Sequence, residues 1–307
     1  THLGAGPVLA GLCWHRCQPE EFTVIIVDTA LQQRLQQRDP IRVALVGAGY
    51  MGRGIALEIL TAFPGMRLAA IVNRTADQAE RAYREAGVDE FRSVSTAAEL
   101  DAAIEAGAYA VSDDPEVACR SGRIEAVIET TGDVEYGARV AFDAITHGKH
   151  LVLMNAEVDS TIGPILKVHA DRHGVVYTYT DGDEPGVAMN LYRFVDSIGY
   201  KPLLMGQIKG FLNRYRNPET QREFAAKHQQ KAEMVASFAD GSKLAIESTI
   251  IGNATGFRPG IRGMHGHQCG HVKDLLKLFG DKDFKDGGLV DFVLGAEPHT
   301  GAFVMGY

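Results

Sequence analysis

A glycine-rich turn between an apolar run and a segment with helical spacing constrains this chain more than any other feature. Gly47, Gly49 and Gly52 form the pattern GxGxxG, which follows IRVALV (41–46) and precedes YMGRGIALEILTAF (50–63). The first glycine allows a tight turn, the second lets a pyrophosphate approach the backbone, and the third lets the helix pack on the strand. Free N–H groups and the positive end of the helix dipole then face the phosphates. In this context the motif predicts a dinucleotide site rather than a merely structural turn.

Strand-like and helix-like segments alternate through the first half of the chain. After 41–46, the strand-like runs cover 66–72, 108–114, 123–132, 149–155 and 175–180, and segments with helical spacing separate them. This alternation predicts right-handed β-α-β units and therefore an α/β fold with a Rossmann-type doubly wound parallel sheet.

The character of the sequence changes near Asp181 to Pro185, so we predict three segments. Residues 1–27 form an N-terminal extension, residues 28–182 an NAD(P)-binding Rossmann domain, and residues 183–307 a second α+β domain for substrate binding and oligomerisation. The last residues, GAEPHTGAFVMGY, have the pattern of a fold interior, so we expect a truncation at the carboxyl end.

Composition narrows the possible partners of the chain. The formal charge of -8 argues against a general nucleic-acid binder, which needs an excess of Lys and Arg. No apolar run reaches the roughly 18–20 residues of a membrane span. Four cysteines in 307 residues suggest a reducing compartment rather than a disulfide framework. We expect a cytoplasmic homo-oligomer that acts on a small molecule and binds neither membrane nor nucleic acid.

The residues at the end of the second predicted strand indicate whether the domain prefers NAD(H) or NADP(H). A domain selective for NAD normally carries Asp or Glu there, about 20 residues past the glycines, for the ribose 2′-hydroxyl. This chain instead has Asn73, Arg74 and Thr75, and no acid before Asp77. Arg74 can pair with the 2′-phosphate of NADP(H), while Asn73 and Thr75 can donate hydrogen bonds. The alternative is a solvated arginine beside a helix N-terminus.

Two later turns are expected at the same edge of the sheet. Ligands of open α/β sheets bind at the carboxyl ends of the strands, so these turns should border the nicotinamide or its ribose. Ordinary strand-end turns are the competing interpretation. The predicted cofactor-binding residues are Gly47, Gly49, Tyr50, Met51, Gly52, Asn73, Arg74, Thr75, Thr130, Thr131, Gly132 and Asn155.

Candidate catalytic groups lie near the start of the second segment. Lys209 follows an apolar strand and could protonate or stabilise a developing alkoxide; a solvated lysine is equally compatible with the sequence. Asp183 and Glu184 could orient the substrate, act as a base or bind a divalent cation such as Mg²⁺ or Mn²⁺. A favourable position at a helix N-terminus would also explain these two acids.

Candidate substrate and metal groups follow. Arg214 and Arg216 suit an anionic substrate, because guanidinium groups recognise carboxylate and phosphate in bidentate fashion; ordinary surface arginines are the alternative. HGHQCGH (265–271) offers imidazoles and a thiol, the ligands that zinc prefers. Its glycines favour a loop, so we regard His265 as a substrate contact and leave the metal ligands unassigned.

GAGYMG, TTG and GKHLVLMNAE together resemble the dinucleotide domain of homoserine dehydrogenases over residues 41–180. The later DGDEPG, GQIKGFLNRYRNPETQ and GMHGH are similar to a homoserine-dehydrogenase-like subgroup. Its members are usually longer, often end in a SAF-type domain, and include 1-deoxy-D-xylulose 5-phosphate reductoisomerase-like enzymes. Homoserine dehydrogenases usually have Asn-Lys after the strand matching LVLMN, whereas here Ala156 follows Asn155. The resemblance implies hydride transfer without naming the substrate.

We therefore expect an NADP-dependent oxidoreductase that transfers hydride between the nicotinamide and a small, polar, anionic carbonyl or hydroxyl compound. A reductoisomerase that rearranges a phosphorylated ketose with a divalent metal is the second hypothesis. An NADP-binding sensor or structural protein without catalysis is the third.

Overall fold

The computed structural model describes residues 27–228 and 230–307, so most of the predicted N-terminal extension lies outside the described residues. The α-helices are α1 (Val27–Gln36), α2 (Tyr50–Thr61), α3 (Ala76–Glu85), α4 (Ala97–Glu105), α5 (Pro115–Arg120), α6 (Val134–Thr146), α7 (Ala156–His173), α8 (Glu184–Ser197), α9 (Pro218–Lys227), α10 (Ala232–Asp240) and α11 (Ser242–Thr255). The strands are β1 (Ile41–Val46), β2 (Met66–Val72), β3 (Phe91–Ser93), β4 (Tyr109–Ser112), β5 (Ala126–Glu129), β6 (His150–Leu153), β7 (Tyr177–Tyr179), β8 (Pro202–Lys209), β9 (His267–Gln268), β10 (Leu289–Leu294) and β11 (Thr300–Gly306).

Seven strands form the first sheet, in the order β3-β4-β2-β1-β5-β6-β7, and every pair is parallel. The chain winds outward in one direction through β2 and in the other through β5, so the strand order reverses beside β1. The carboxyl ends of β1 and β5 flank this switch point, where ligands of doubly wound sheets bind. The α/β, Rossmann-type prediction is confirmed.

The second sheet has four strands in the order β11-β8-β10-β9, with β11 antiparallel to β8 and the other pairs parallel. On one face, Met205 and Val290 pack against α8 and α11 through Ala188 and Ile251. On the other face, the apolar cluster contains Ile208, Val293 and Leu275. This mixed sheet with helices agrees with the predicted second α+β unit.

Three local differences separate the structure from the sequence prediction. The spacing of STIGPILKVHADRHG predicts a helix from Ser160, but α7 begins at Ala156, because Asn155 caps it by accepting a hydrogen bond from the Val158 N–H at 3.2 Å. The sequence VKDLLKLF predicts a helix as well, and the structure has a 3₁₀ helix at Val272–Lys277. The short elements β3 and α5 were not predicted. Among the described helices, none combines the length and apolar character needed to cross a bilayer.

Candidate active site

The glycine turn has the close contacts that its sequence pattern predicts. Gly47 has φ 104°, and a Cβ on Gly52 would lie 2.1 Å from the Gly47 carbonyl oxygen, so the third glycine is needed for helix packing. A Cβ on Gly49, by contrast, would meet nothing within 4 Å. The space beside Gly49, at the N-terminus of α2, is therefore open for a pyrophosphate to approach the backbone.

Asn73 connects this turn to the end of β2. Its Oδ1 accepts a hydrogen bond from the Ala48 N–H at 3.1 Å, and its Nδ2 donates to the Thr75 carbonyl at 2.9 Å. Arg74 lies between them and is exposed. Tyr50 and Met51 are also exposed at the start of α2. The structure thus leaves the Arg74 guanidinium accessible at the edge where an adenosine ribose would lie, while Asn73 shapes the turn.

The turns after β5 and β6 lie at the same edge, and their side chains bond internally. The Thr130 hydroxyl donates to the Gly47 carbonyl at 2.8 Å, and Thr131 donates through its N–H and hydroxyl to Glu129. Asn155 is buried and donates to the Asp133 carbonyl at 3.1 Å. Gly132 has φ 68°. These residues build the wall of the site, and their direct contact with a cofactor stays a prediction.

A second set of polar side chains lies where the chain leaves β7 and enters α8. The Lys209 ammonium, at the end of β8, donates to Glu184 Oε1 at 2.7 Å. The Tyr179 hydroxyl donates to Asp183 Oδ2 at 2.8 Å. Because Asp183 follows the carboxyl end of β7, this group lies at the same edge of the first sheet as the glycine turn. The structure therefore brings the three predicted catalytic candidates together: Lys209, Asp183 and Glu184.

Two further members come from α11 and were missed by the sequence reasoning. Glu247 is 1% exposed, and its carboxylate oxygens lie 3.7 Å from the ammonium groups of Lys209 and Lys243. Lys243 is itself buried. The available signal was a Lys and a Glu four residues apart in the otherwise apolar segment KLAIESTII, a spacing that puts both on one helix face. We call Asp183, Glu184, Lys209, Lys243 and Glu247 the ionic cluster.

Burial and neighbouring charges shift the pKa values of the three carboxyl groups in different directions. Burial raises the pKa of Glu247 to about 7, the neighbouring Glu184 charge adds to this effect, and Lys209 and Lys243 oppose it. Burial also raises the pKa of Asp183. For Glu184 burial is the largest single influence and acts in the same direction, but the hydrogen bonds with Lys209 and Asp183 and the Lys209 charge together outweigh it, and the pKa falls below its usual value. The cluster therefore holds one firmly ionised acid next to one that titrates near neutrality.

Buried polar atoms beside the cluster lack partners. Both carboxylate oxygens of Glu247, the Ser248 hydroxyl and both amide atoms of Gln207 form no hydrogen bond with any described residue. Gln207 is fully buried two residues before Lys209 on the same strand face. Such orphaned groups are costly and few in native proteins, so a set of them around one point suggests a ligand that would complete them.

The two predicted arginines lie in the loop after Lys209. Arg214 is exposed and stacks over Tyr215, with its guanidinium carbon 5.1 Å from the ring centre. Arg216 is half-buried over Phe211, and its buried Nε has no described hydrogen-bond partner. The loop is tied to α10 by a hydrogen bond from the Asn213 N–H to the Ala239 carbonyl. Both guanidinium groups therefore keep N–H donors that an anion could use.

His265 lies elsewhere. Its Nδ1 is 2.7 Å from Oδ2 of Asp291, a buried carboxylate that also accepts from the backbone N–H groups of His265 and Gly266. Since Asp291 and Val293 alternate with Val290 along β10, His265 packs on the face opposite Lys209. The structure does not bring the predicted substrate contact His265 to the ionic cluster.

The candidate metal ligands also separate. The His265 and His267 rings stack with centres 5.3 Å apart, and the Cys269 thiol contacts the His271 carbonyl, so HGHQCGH does not converge on one point. Across residues 27–228 and 230–307, the group with metal-ligand geometry is Asp183, Glu184 and Glu247, whose ligand atoms lie within 4.8 Å of one another. Any cation there competes with Lys209, which already pairs with Glu184.

Two family models match the chain, and they cover the two sheets separately. Residues 41–154 match the oxidoreductase family with an NAD-binding Rossmann fold, GFO_IDH_MocA, and residues 182–307 match the catalytic domain of oxidoreductase DRL. No curated protein matches the sequence. Each of the two regions therefore matches a domain of oxidoreductases, an NAD-binding Rossmann domain first and a catalytic domain second.

Three solved structures are similar to parts of this chain. A homoserine dehydrogenase from Thiobacillus denitrificans is 20% identical, with a TM-score of 0.52 over 71% of this chain and 49% of that chain. An NAD-binding oxidoreductase from Klebsiella pneumoniae is 18% identical, with a TM-score of 0.41 over 58% of this chain and 44% of that one. The scyllo-inositol dehydrogenase of Lactobacillus casei is 16% identical, with a TM-score of 0.40 over 61% and 48%. This chain thus spans about half the length of each.

Proposed function

We propose that this oxidoreductase uses NADPH to reduce the carbonyl group of a small anionic compound, with Lys209 at the reacting oxygen. The observation that carries the proposal is the ionic cluster: a half-buried lysine, held by Glu184 at 2.7 Å, stands at the edge of the sheet that carries the dinucleotide motif. Hydride transfer to a carbonyl leaves negative charge on oxygen, and a positioned ammonium group is well suited to stabilise or protonate it.

The cofactor fits the described residues. Gly47 and Gly52 allow the close packing of the turn, and the open space beside Gly49 suits the pyrophosphate. When bound there, NADPH supplies the hydride. The preference for NADP(H) over NAD(H) rests on Arg74, an exposed cation at the end of β2, and on the lack of an acid at that position. A carboxylate would repel the 2′-phosphate, whereas a guanidinium attracts it.

The proton needs a second group besides Lys209. Glu184 orients the Lys209 ammonium through its hydrogen bond. Glu247, 3.7 Å from the same ammonium and with a pKa of about 7, can return a proton to Lys209 after each turnover near neutral pH. Lys243 holds the other side of Glu247. In this scheme Asp183, fixed by Tyr179, orients a substrate hydroxyl group.

The anionic part of the substrate is assigned to Arg214 and Arg216. Arg216 supports this assignment best, because its Nε is buried without a described partner. An arginine fork bound to a carboxylate or phosphate would satisfy that atom and hold the carbonyl next to Lys209. Homo-oligomerisation and membership of the subgroup with a SAF-type domain remain part of the proposal.

A metal-dependent reductoisomerase is the second candidate, and one observation favours it. Asp183, Glu184 and Glu247 have carboxylate oxygens close enough to share a divalent cation, and oxygen ligands suit Mg²⁺ and Mn²⁺. In that reaction a phosphorylated ketose is rearranged before it is reduced. Lys209 would have to give up its pairing with Glu184 when the cation binds.

A screen of NADPH oxidation separates these functions. The purified chain is incubated with small ketones, aldehydes and their phosphates, once with EDTA and once with Mg²⁺ or Mn²⁺. Turnover that persists in EDTA supports simple carbonyl reduction, whereas turnover restored only by the cation supports the reductoisomerase. Stoichiometric binding of NADPH without turnover on any compound contradicts both and favours the sensor hypothesis.

A further inference from the structure

A second cleft lies behind the ionic cluster, between α7, β7, α8 and α11. Its volume is about 660 Å³, within the range of roughly 300–1,000 Å³ typical of small-molecule sites. Lys209, Glu184 and Glu247 are not among the residues that line it. The cleft therefore has a lining of its own.

The floor of the cleft is a buried carboxyl group paired with a phenol. Asp159 is 8% exposed and accepts a hydrogen bond from the Tyr177 hydroxyl. A Cβ on Gly163 would lie 2.1 Å from Asp159 Oδ1 and 3.0 Å from the Tyr177 oxygen, so a glycine at this position makes room for the pair. Burial raises the pKa of Asp159, although the Tyr177 hydrogen bond opposes the shift. Burying such a pair costs free energy, which a ligand with hydroxyl groups would help to offset.

Carboxamide side chains form the walls. Asn190 on α8 donates to Asp181 at 2.8 Å, and Asn253 on α11 lies within reach of the Ser160 carbonyl at 3.5 Å. The Ser160 carbonyl has no helical partner, because Pro164, four residues later in α7, has no N–H to donate. The walls thus present planar donor and acceptor groups beside the acidic floor.

Two cations stand at the rim, although the chain as a whole is acidic. Arg193 donates one hydrogen bond to the Asn190 carboxamide oxygen at 3.3 Å, and the other N–H groups of this exposed guanidinium are available to a ligand. Lys167, also exposed, pairs with Asp171 one turn further along α7. An anionic group at the rim would therefore meet a guanidinium and an ammonium from two different helices.

We propose that this cleft is a second binding site, for a small polyol with one anionic end. Hydroxyl groups would contact Asp159, Tyr177 and the two asparagines, because carboxyl and carboxamide groups can bond to adjacent hydroxyls. The carboxylate or phosphate would face Arg193 and Lys167, as guanidinium groups favour these anions. The polarity of the cleft, with a buried carboxyl group inside and cations outside, fixes the direction in which such a ligand enters.

Tyr179 connects this site to the ionic cluster. The residue lines the cleft, and its hydroxyl donates to Asp183 at 2.8 Å. A ligand in the cleft therefore touches a residue that positions an acid of the cluster, and we expect its binding to change turnover. Binding itself does not depend on the proposed reaction, so it can be measured without a known substrate.

Calorimetric titration of the full chain tests the proposal. Gluconate and sorbitol 6-phosphate serve as anionic polyols with different anions, and sorbitol is their neutral counterpart. We expect at least one anionic polyol to bind more tightly than sorbitol. Arg193→Gln should weaken its binding by about tenfold or more, with sorbitol unaffected. Arg172→Gln is the matched control, because Arg172 is exposed in the last turn of α7 and does not line the cleft.

Asp159→Asn tests the floor with nearly unchanged volume, and circular dichroism checks that the variant folds. We expect it to weaken both anionic polyols and sorbitol. The proposal is overturned if neither anionic polyol binds, or if Arg193→Gln behaves like Arg172→Gln. It is overturned as well if binding is lost in Lys209→Ala but kept in Arg193→Gln, since the ligand would then occupy the ionic cluster.

Discussion

The turns at the carboxyl ends of β1, β2, β5 and β6, which we call the cofactor edge, and the ionic cluster are both built from polar residues. The two regions differ in how many of their buried polar groups form hydrogen bonds. At the cofactor edge Asn73, Thr130 and Asn155 spend their side chains on backbone groups nearby. In the cluster Glu247 has no described hydrogen-bond partner, and neither have Gln207 and Ser248 beside it. Apart from Glu129 Oε2, which also lacks a described partner, the first region is thus a hydrogen-bonded scaffold with a few exposed groups. The second region holds several unsatisfied polar groups whose hydrogen bonds a substrate can complete. Four variants test this contrast, beginning with the largest expected effect.

Removing the lysine should stop the reaction while leaving the scaffold intact. We expect Lys209→Ala to lower turnover by about 10²-fold or more, in the range found for general acid catalysis, with an unchanged Kd for NADPH. Lys201→Ala, an exposed lysine just before the same strand, is the control and should behave like the parent. Steady-state kinetics and fluorescence titration measure the two quantities. A loss of turnover smaller than about tenfold would remove Lys209 from the mechanism.

Glu247→Gln tests how the buried Glu247 carboxyl group affects the free energy of unfolding at different pH. The folded-state pKa of about 7 lies above the ordinary value of 4.5, so the folded protein holds this proton more tightly. The free energy of unfolding therefore falls as pH rises through this window, by about 3 kcal/mol at most. Because glutamine does not titrate, the stability of the variant does not fall in this way. The thermal midpoint of the variant, relative to that of the parent, should therefore rise between pH 5 and pH 8.

Glu233→Gln, an exposed acid on α10, is the control for that comparison. It should show no such gain. A difference between Glu247→Gln and the parent that stays constant from pH 5 to pH 8 would mean that Glu247 is ordinarily ionised, and would remove it as a proton source.

A pair of glycines on α2 tests how tightly the scaffold is packed. The added methyl group of Gly52→Ala collides with the Gly47 carbonyl, whereas that of Gly54→Ala meets nothing within 4 Å. We expect Gly52→Ala to lose about 1–3 kcal/mol of stability and to bind NADPH more weakly, as overpacked sites do. Gly54→Ala should match the parent in NADPH titration and gain about 0.5–1 kcal/mol of stability, because alanine favours a helix interior over glycine. Equal behaviour of the two variants would contradict the packing described for the turn.

Arg74→Ala tests the exposed part of the scaffold and should have the smallest effect. We expect a Kd for NADPH raised by about tenfold, or roughly 1.4 kcal/mol, since the guanidinium is solvated and its pairing is screened. The Kd for NADH should hardly change. Tighter binding of NADH than of NADPH by the parent protein would show that the assignment of cofactor preference is wrong.

The same contrast explains what could be predicted from sequence. The glycine turn, the doubly wound parallel sheet and the position of Lys209 at a strand end can be predicted from short segments with a recognisable local pattern. The ionic cluster, however, joins residues from the start of α8, the end of β8 and α11, and no local pattern shows that Glu247 lies between Lys209 and Lys243. His265 illustrates the converse, because it lies in a loop before β9 and its position is set by pairing with Asp291 on β10, a contact between distant segments that the local pattern does not show.

Asp159 could not be predicted for a related reason. In sequence it is one acid in the first turn of a helix, where the dipole favours acids in general. Only the packing of α7 against β7 shows that it is buried against Tyr177. Burial, which makes a polar residue informative, is a property of the assembled layers rather than of any segment.

The most direct test of the account is a crossed measurement on Lys209→Ala and Arg74→Ala, using a substrate found in the NADPH screen. Turnover at saturating NADPH and the Kd for NADPH are determined for both variants. The account predicts that Lys209→Ala loses turnover and keeps the Kd, whereas Arg74→Ala raises the Kd and keeps turnover. If both variants lose both properties to a similar degree, the cofactor edge and the ionic cluster do not have separate roles, and the proposed function is contradicted.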